Sequence, residues 1–225
     1  MQLPFLNISY TFHVGTLNRN LKQLNSCEGA GLSVSNCPSV WMKITRFEPD
    51  ARVIGLENLK GKFLNFYDLS EIQLNEIRRW GVENGYLVPY TIYRYTYYDS
   101  EFECDMIMSF TDKERALQEL CDESHEQLEE VDSFVGTSKL AHAQFQTDST
   151  SIDPIQILTI QYIEENYPDF DGVWFDEDLD IYRLSAPRGV IFNNRLDNWI
   201  VHTKWDDEYL YDIQQDVEVN CSEEV

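Results

Sequence analysis

The sequence predicts an α+β domain with a mixed or antiparallel sheet core and flanking helices, and three observations carry that expectation. Short runs rich in β-branched and aromatic residues, bounded by Gly, Pro, Asn, Asp or Ser, recur along the chain. Stretches with helical spacing and recognisable start signals stand between several of them. Of the 225 residues, 43% are apolar, with 13 Tyr, 12 Phe and 5 Trp, enough to fill a core in one large domain or two small ones.

In chain order, 8–14 (ISYTFHV) and 30–35 (AGLSVS) read as strands separated by a polar loop. Pro38 in a first turn opens a short helix that would bury Val40, Trp41 and Ile44, and 52–56 is a further strand. Ser70 with Gln73 makes a capping-box pattern, because hydroxyl and amide can satisfy each other's backbone donors. Leu74, Ile77 and Trp80 follow at helical spacing, with an expected stop near Gly81. The Tyr- and Thr-rich stretch 88–97 and the alternation of Phe102, Cys104, Met106, Met108 and Phe110 read as a hairpin around Asp99-Ser100 with one buried face.

Thr111 and Glu114 repeat the capping-box logic and predict a long acidic helix carrying Ala116, Leu117, Leu120, Cys121, Leu128 and Val131. A Ser/Thr/Gln-rich loop is expected at 136–151, and Asp153-Pro154 starts a helix through Ile155, Leu158, Tyr162 and Ile163. The closing strands are 170–175, 189–192 and 199–202. The resulting organisation is a single domain over 1–205, with a hairpin and acidic helix inserted around 85–135 and an acidic tail at 206–225.

Charge restricts the partners. Forty acidic against 17 basic residues give a net charge of -23 and no basic run. Duplex DNA carries a negative charge every ~1.7 Å, so direct nucleic-acid binding is not expected, nor is adhesion to an anionic membrane. A protein with a basic surface is attracted instead. The five cysteines, at 27, 37, 104, 121 and 221, include no CxxC pair and leave one over, which favours reduced thiols. Cys104 and Cys121 fall on faces expected to be buried. With no secretion-signal pattern at the N-terminus and no apolar run of about 18 residues, the expected location is cytoplasmic.

Three segments carry candidate chemistry. In Phe12-His13-Val14-Gly15-Thr16 an imidazole at a strand end is followed at once by a glycine that lets backbone approach a ligand, although a histidine satisfied at a strand end reads the same way. In Glu28-Gly29-Ala30-Gly31-Leu32-Ser33-Val34-Ser35, two glycines lead into a strand whose Ser33 and Ser35 share a face, which also fits a plain turn into a strand. The third segment is Asp171-Gly172-Val173-Trp174, followed after a loop by Pro187-Arg188-Gly189-Val190-Ile191-Phe192.

Together these segments resemble the ADP-ribosyltransferase fold of poly(ADP-ribose) polymerase-type and diphtheria-toxin-type enzymes, a split β-sheet. There a strand ending in His-Gly-Thr or His-Gly-Ser precedes a Gly-x-Gly-hydrophobic-Tyr strand, and a DGV-like strand precedes one introduced by a catalytic acid. The resemblance implies NAD as cofactor, held by His13, Gly15, Thr16, Gly31, Leu32, Ser33 and Ser35, and transfer of ADP-ribose to a protein with a basic surface. Three positions differ from the family pattern: Val14 stands between His and Gly, Ser33 takes the place of the stacking Tyr, and Arg188 stands where the acid is expected.

A carboxylate there would stabilise positive charge developing on the ribose as nicotinamide leaves. Asp180 or another acid of the loop 176–180 can supply it, as can Asp197 in a shifted register. Alternatively Arg188 itself acts on a phosphate, as the resemblance to the RNA 2'-phosphotransferase branch implies. The same acidic loop fails as a calcium site, having Ile181 and Pro187 where Gly and Glu are required. Small acidic proteins of this build also occur among phage proteins that disarm host defences. The competing reading is a non-enzymatic acidic decoy that imitates nucleic acid and blocks a basic groove on a partner.

Overall fold

The structure, a computed structural model, describes residues 2–15, 17, 31–38, 40, 53–120, 128–140, 154–177, 179 and 186–202. Its centre is an eight-stranded sheet built from Phe5–Asn7 (β1), Tyr10–Val14 (β2), Leu32–Ser35 (β3), Val53–Glu57 (β4), Lys62–Asn65 (β5), Gly172–Phe175 (β9), Arg188–Ile191 (β10) and Ile200–His202 (β11). The spatial order is β1-β5-β9-β10-β3-β2-β4-β11, and every pairing is antiparallel except β5 with β9. The expected α+β class with a mixed sheet is observed.

Successive residues of the central strands enter opposite cores, as a pleated strand buried on both sides requires. Leu64, Val173, Phe175 and Val190 face one cluster, while Phe63, Trp174 and Ile191 face the other. The first cluster is closed by two helices that pack on each other, Glu71–Glu83 (α1) and Ile155–Asn166 (α3), through Ile77, Leu158, Ile160 and Ile163. The second gathers Trp199, Leu196, Leu56 and Ile54 around Phe63.

The α1 start follows from its sequence: Ser70 Oγ accepts from Gln73 N, and Gln73 Oε1 accepts from Ser70 N at 2.8 Å, completing the capping box. The expected stop at Gly81 is two residues early. A Cβ at Gly81 would lie 2.7 Å from Leu158 Cδ2, so this glycine serves the approach of α1 to α3 rather than ending the helix. Pro38 and Val40 are helical as expected, whereas Trp41 and Ile44 lie outside the described residues, as does Asp153 ahead of α3.

A second, three-stranded antiparallel sheet comprises Leu87–Asp99 (β6), Cys104–Phe110 (β7) and Glu129–Gly136 (β8), in the order β7-β6-β8. Two expectations are corrected here. The long acidic helix is a short one, Lys113–Glu119 (α2), whose cap is Asp112, accepting from Arg115 N, rather than Thr111. Leu120 is already extended, and Val131, expected on the helix, lies in β8.

Nor does the hairpin bury the face of Phe102, Cys104, Met106 and Met108. All four are exposed, because α2 covers only the Tyr95–Phe110 end of β6 and β7. The expected burial of Cys104 is wrong for the same reason; Cys121 lies outside the described residues. The expected loop at 136–151 is described only to Leu140, with β8 reaching Gly136. No helix among the described residues is long and apolar enough to cross a membrane.

Candidate functional site

Three strands that carry the motif residues are consecutive neighbours in the large sheet: β2 with His13, β3 with Ser33 and Ser35, and β10 with Arg188. Between β2 and β3 the ladder holds the single register pair Phe12↔Ser35. One residue further along β2, the half-buried His13 donates from Nδ1 to the carbonyl oxygen of Ser33 at 2.8 Å. A carbonyl only accepts, so this bond places the proton of a neutral ring on Nδ1 and leaves Nε2 with acceptor character. The side chain thus does across the parting strands what a backbone bond does elsewhere in the sheet.

The two glycine positions next to this contact need their conformation. Gly15 ends β2 at φ 129°, and Gly31 opens β3 at φ 147°, both poorly accessible to other residues. At Gly31 a Cβ would also lie 2.3 Å from Val190 Cγ2 and 2.7 Å from Ile191 O, so β3 begins hard against β10. Leu32 is 1% exposed, within the core cluster of Val34 and Trp174. Thr16, Gly29 and Ala30 lie outside the described residues.

Ser35 is fully buried. Its hydroxyl donates to Pro187 O at 2.6 Å and accepts from Cys37 N at 3.1 Å. It therefore ties the end of β3 to the residue just before Arg188, its own register partner on β10. Asp171, of the Asp-Gly-Val-Trp motif, is likewise structural: its carboxylate accepts from Lys62 N at 2.9 Å, and its carbonyl accepts from Phe192 N.

Arg188 begins β10 and faces Phe175, with its guanidinium carbon 4.8 Å from that ring's centroid. Its Nη2 donates to Glu177 Oε1 at 2.8 Å, and Tyr67 donates its hydroxyl to the same oxygen at 3.0 Å. The ion pair is shielded, with side chains only 17% and 19% exposed, so the attraction across it is screened less than between charges in open water. Burial pushes the Tyr67 phenol above its ordinary pKa, and the hydrogen bond to Glu177 and its charge add to the rise, against the opposing pull of Arg188. Tyr67 thereby stays a neutral donor over a wide pH range.

Glu177 is the residue that sequence reasoning did not single out. It sits two residues past β9, in the acidic loop from which Asp180 was chosen, and nothing in a run of alternating acids marks which one meets an arginine 11 positions on. Asp180 itself lies outside the described residues. Asp197 is on the exposed side of the 3-10 turn Asn193–Asn198, which leads from β10 to β11 at the other edge of the sheet. The structure thus joins His13 to Ser33, Ser35 to the start of β10, and Arg188 to Glu177. Comparison of the chain with family models, curated proteins and solved structures gives no match in any of the three.

Proposed function

We propose that the chain transfers ADP-ribose from NAD to a protein with a basic surface. The observation that carries the reading is the His13–Ser33 contact at the parting of β2 and β3, on strands flanked directly by the one that begins with Arg188. Residues 13, 33 and 188 come from three distant parts of the chain, and the resemblance requires their strands to meet around one dinucleotide.

The polar groups present fit such a ligand. The imidazole of His13, fixed by Ser33 O, is a polar side chain of the kind that binds a ribose. Gly15, at φ 129°, lets the backbone at the end of β2 come close to a ligand. No ring stands at Ser33 to stack on nicotinamide, so orientation falls to hydrogen bonds. Ser35 and Leu32 act by packing rather than by contact. NAD, when bound, supplies an ADP-ribosyl group whose glycosidic carbon gains positive charge as nicotinamide departs.

The carboxylate that this chemistry wants belongs on the face of His13, which the register shares with Val34 and Ile54, whereas Arg188 and Glu177 share the opposite face with Val190 and Phe175. Arg188 occupies the acid's place in the sequence, and through its 2.8 Å ion pair it holds an acid at the start of β10. Asp180 and Asp197 are the acids that the resemblance offers. The net charge of -23 draws basic acceptors to the surface.

Incubation of the protein with labelled NAD and a cell lysate tests the reading. Label should appear on acceptor bands, and His13→Ala should remove it while the far-ultraviolet spectrum is kept. No label and no NAD-induced thermal shift in the unaltered protein would reject the transferase in favour of the acidic decoy.

A further inference from the structure

The outer edge of β7 is a sheet edge rich in exposed apolar side chains. Among the described residues it pairs with no strand but β6, through an unbroken seven-residue register from Cys104 to Phe110 with no bulge. Every residue from Cys104 to Ser109 is exposed, including Ile107 at 61% and Met106 and Met108 at 38% each. Natural edge strands are blunted by Lys, Pro, bulges or a covering element. This one has no Lys, no Pro and a single charge, Asp105. It is an open template for main-chain pairing.

We propose that β7 is the docking strand for the protein acceptor, and that it takes an extended segment with an apolar β-branched centre and basic residues at both ends. The inference rests on the reading that the chain acts on a basic protein. Its specific support is the distribution of charge around the edge. Asp99, Glu101 and Glu103 precede β7, and Asp112 and Glu114 follow it, while the centre is Met-Ile-Met.

The two bases of the same stretch are already engaged. Lys113 pairs with Glu130 and lies over Tyr93, and Arg115 lies over Phe110. Seven residues in extended conformation span about 23 Å at ~3.3 Å each, longer than the Debye length, so the two acidic ends attract separate basic groups. A second copy of this chain fits worse. Antiparallel pairing of two β7 strands would set Glu101 and Glu103 of one copy against Asp112 and Glu114 of the other, between two molecules each carrying -23.

The test is fluorescence anisotropy with labelled KKVTVTVKK as probe and KKGSGSGKK as the control of equal charge, alongside hydrogen exchange of the full chain. The first peptide should bind about tenfold more tightly than the second and protect amides of β7, because strand pairing adds to charge. Ile107→Lys should weaken it about tenfold, and Ile107→Pro at least as much, with the NAD-induced thermal shift unchanged in both. The substituted side chain is exposed, so Ile107→Lys keeps the fold.

Equal binding of the two peptides, or unchanged binding to Ile107→Lys, overturns the proposal. So does a dimer in light scattering that Ile107→Lys dissociates, since the edge is then filled by a second copy. The outcomes separate from those of the transferase reading. Peptide docking without any NAD response leaves the edge as a docking strand and removes the enzyme, whereas NAD labelling without peptide docking does the reverse.

Discussion

Replacing Ser35 by Ala tests whether this residue frames the site or touches a ligand. The serine is fully buried, and its hydroxyl serves two backbone groups, the Pro187 carbonyl at 2.6 Å and the Cys37 amide at 3.1 Å. Alanine fills nearly the same space but leaves both groups without that partner. An unsatisfied buried group costs about 1–3 kcal/mol, and part-buried partners fall toward the low end, so the pair should cost about 2–3 kcal/mol. Urea unfolding followed by tryptophan fluorescence gives the measurement, since Trp174 and Trp199 are buried within 2% exposure. The midpoint should fall by roughly 1 M with the slope kept. A loss under about 0.5 kcal/mol, the range of a featureless surface change, refutes the framing role. If stability holds while NAD-induced stabilisation disappears, Ser35 contacts the ligand and does not frame the site.

Gly189→Ala sets a Cβ 2.5 Å from Trp174 Cε3 and 2.8 Å from Val173 O; because one obstacle is backbone, the strands must shift, and calorimetry should show a loss of about 1–3 kcal/mol or more. A double-mutant cycle on Arg188→Ala and Glu177→Ala should give a coupling of about 1–2 kcal/mol, above an exposed pair and below a fully buried one; a value near zero shows that the pair behaves as an exposed one. Tyr86 is raised from 10.0 to about 12, first by burial and then by donating to Glu165. Its folded value lies above its unfolded one, so its contribution to stability is complete below pH 10 and is lost as pH rises through about 12. Tyr86→Phe should flatten that part of the alkaline stability profile.

Local signals proved legible where the deciding partner is near in sequence. The Ser70–Gln73 box needs only three residues, and it starts α1 where expected. The buried strands around Trp174 and Val190 are apolar on both faces and announce themselves as runs. By contrast β1 and β5, three and four residues long, exist because they pair with each other and because β5 lies along β9; nothing in FLN or KFLN alone marks a strand. The helical spacing of Ala116, Leu117 and Leu120 continues to fit apolar positions through Val131, although Val131 lies in β8.

The same division holds at the site. His13 stood out because glycine follows closely after a strand-end imidazole. The role of Ser35 depends on Pro187, 152 residues later, and that of Glu177 on an arginine beyond a loop of acids, so neither is fixed by local pattern. The hairpin's alternation was real but misassigned: Met106 and Met108 do share a side of β7, and that side is open because α2 is too short to cover it.

The central claim is that NAD is held where the imidazole of His13 bridges to Ser33. Isothermal titration of NAD into the unaltered protein and into His13→Ala addresses it without needing an acceptor. The account predicts a saturable heat for the first and about tenfold or greater weakening for the second, with the fold retained. No heat in the unaltered protein, or equal affinity in the variant, contradicts it.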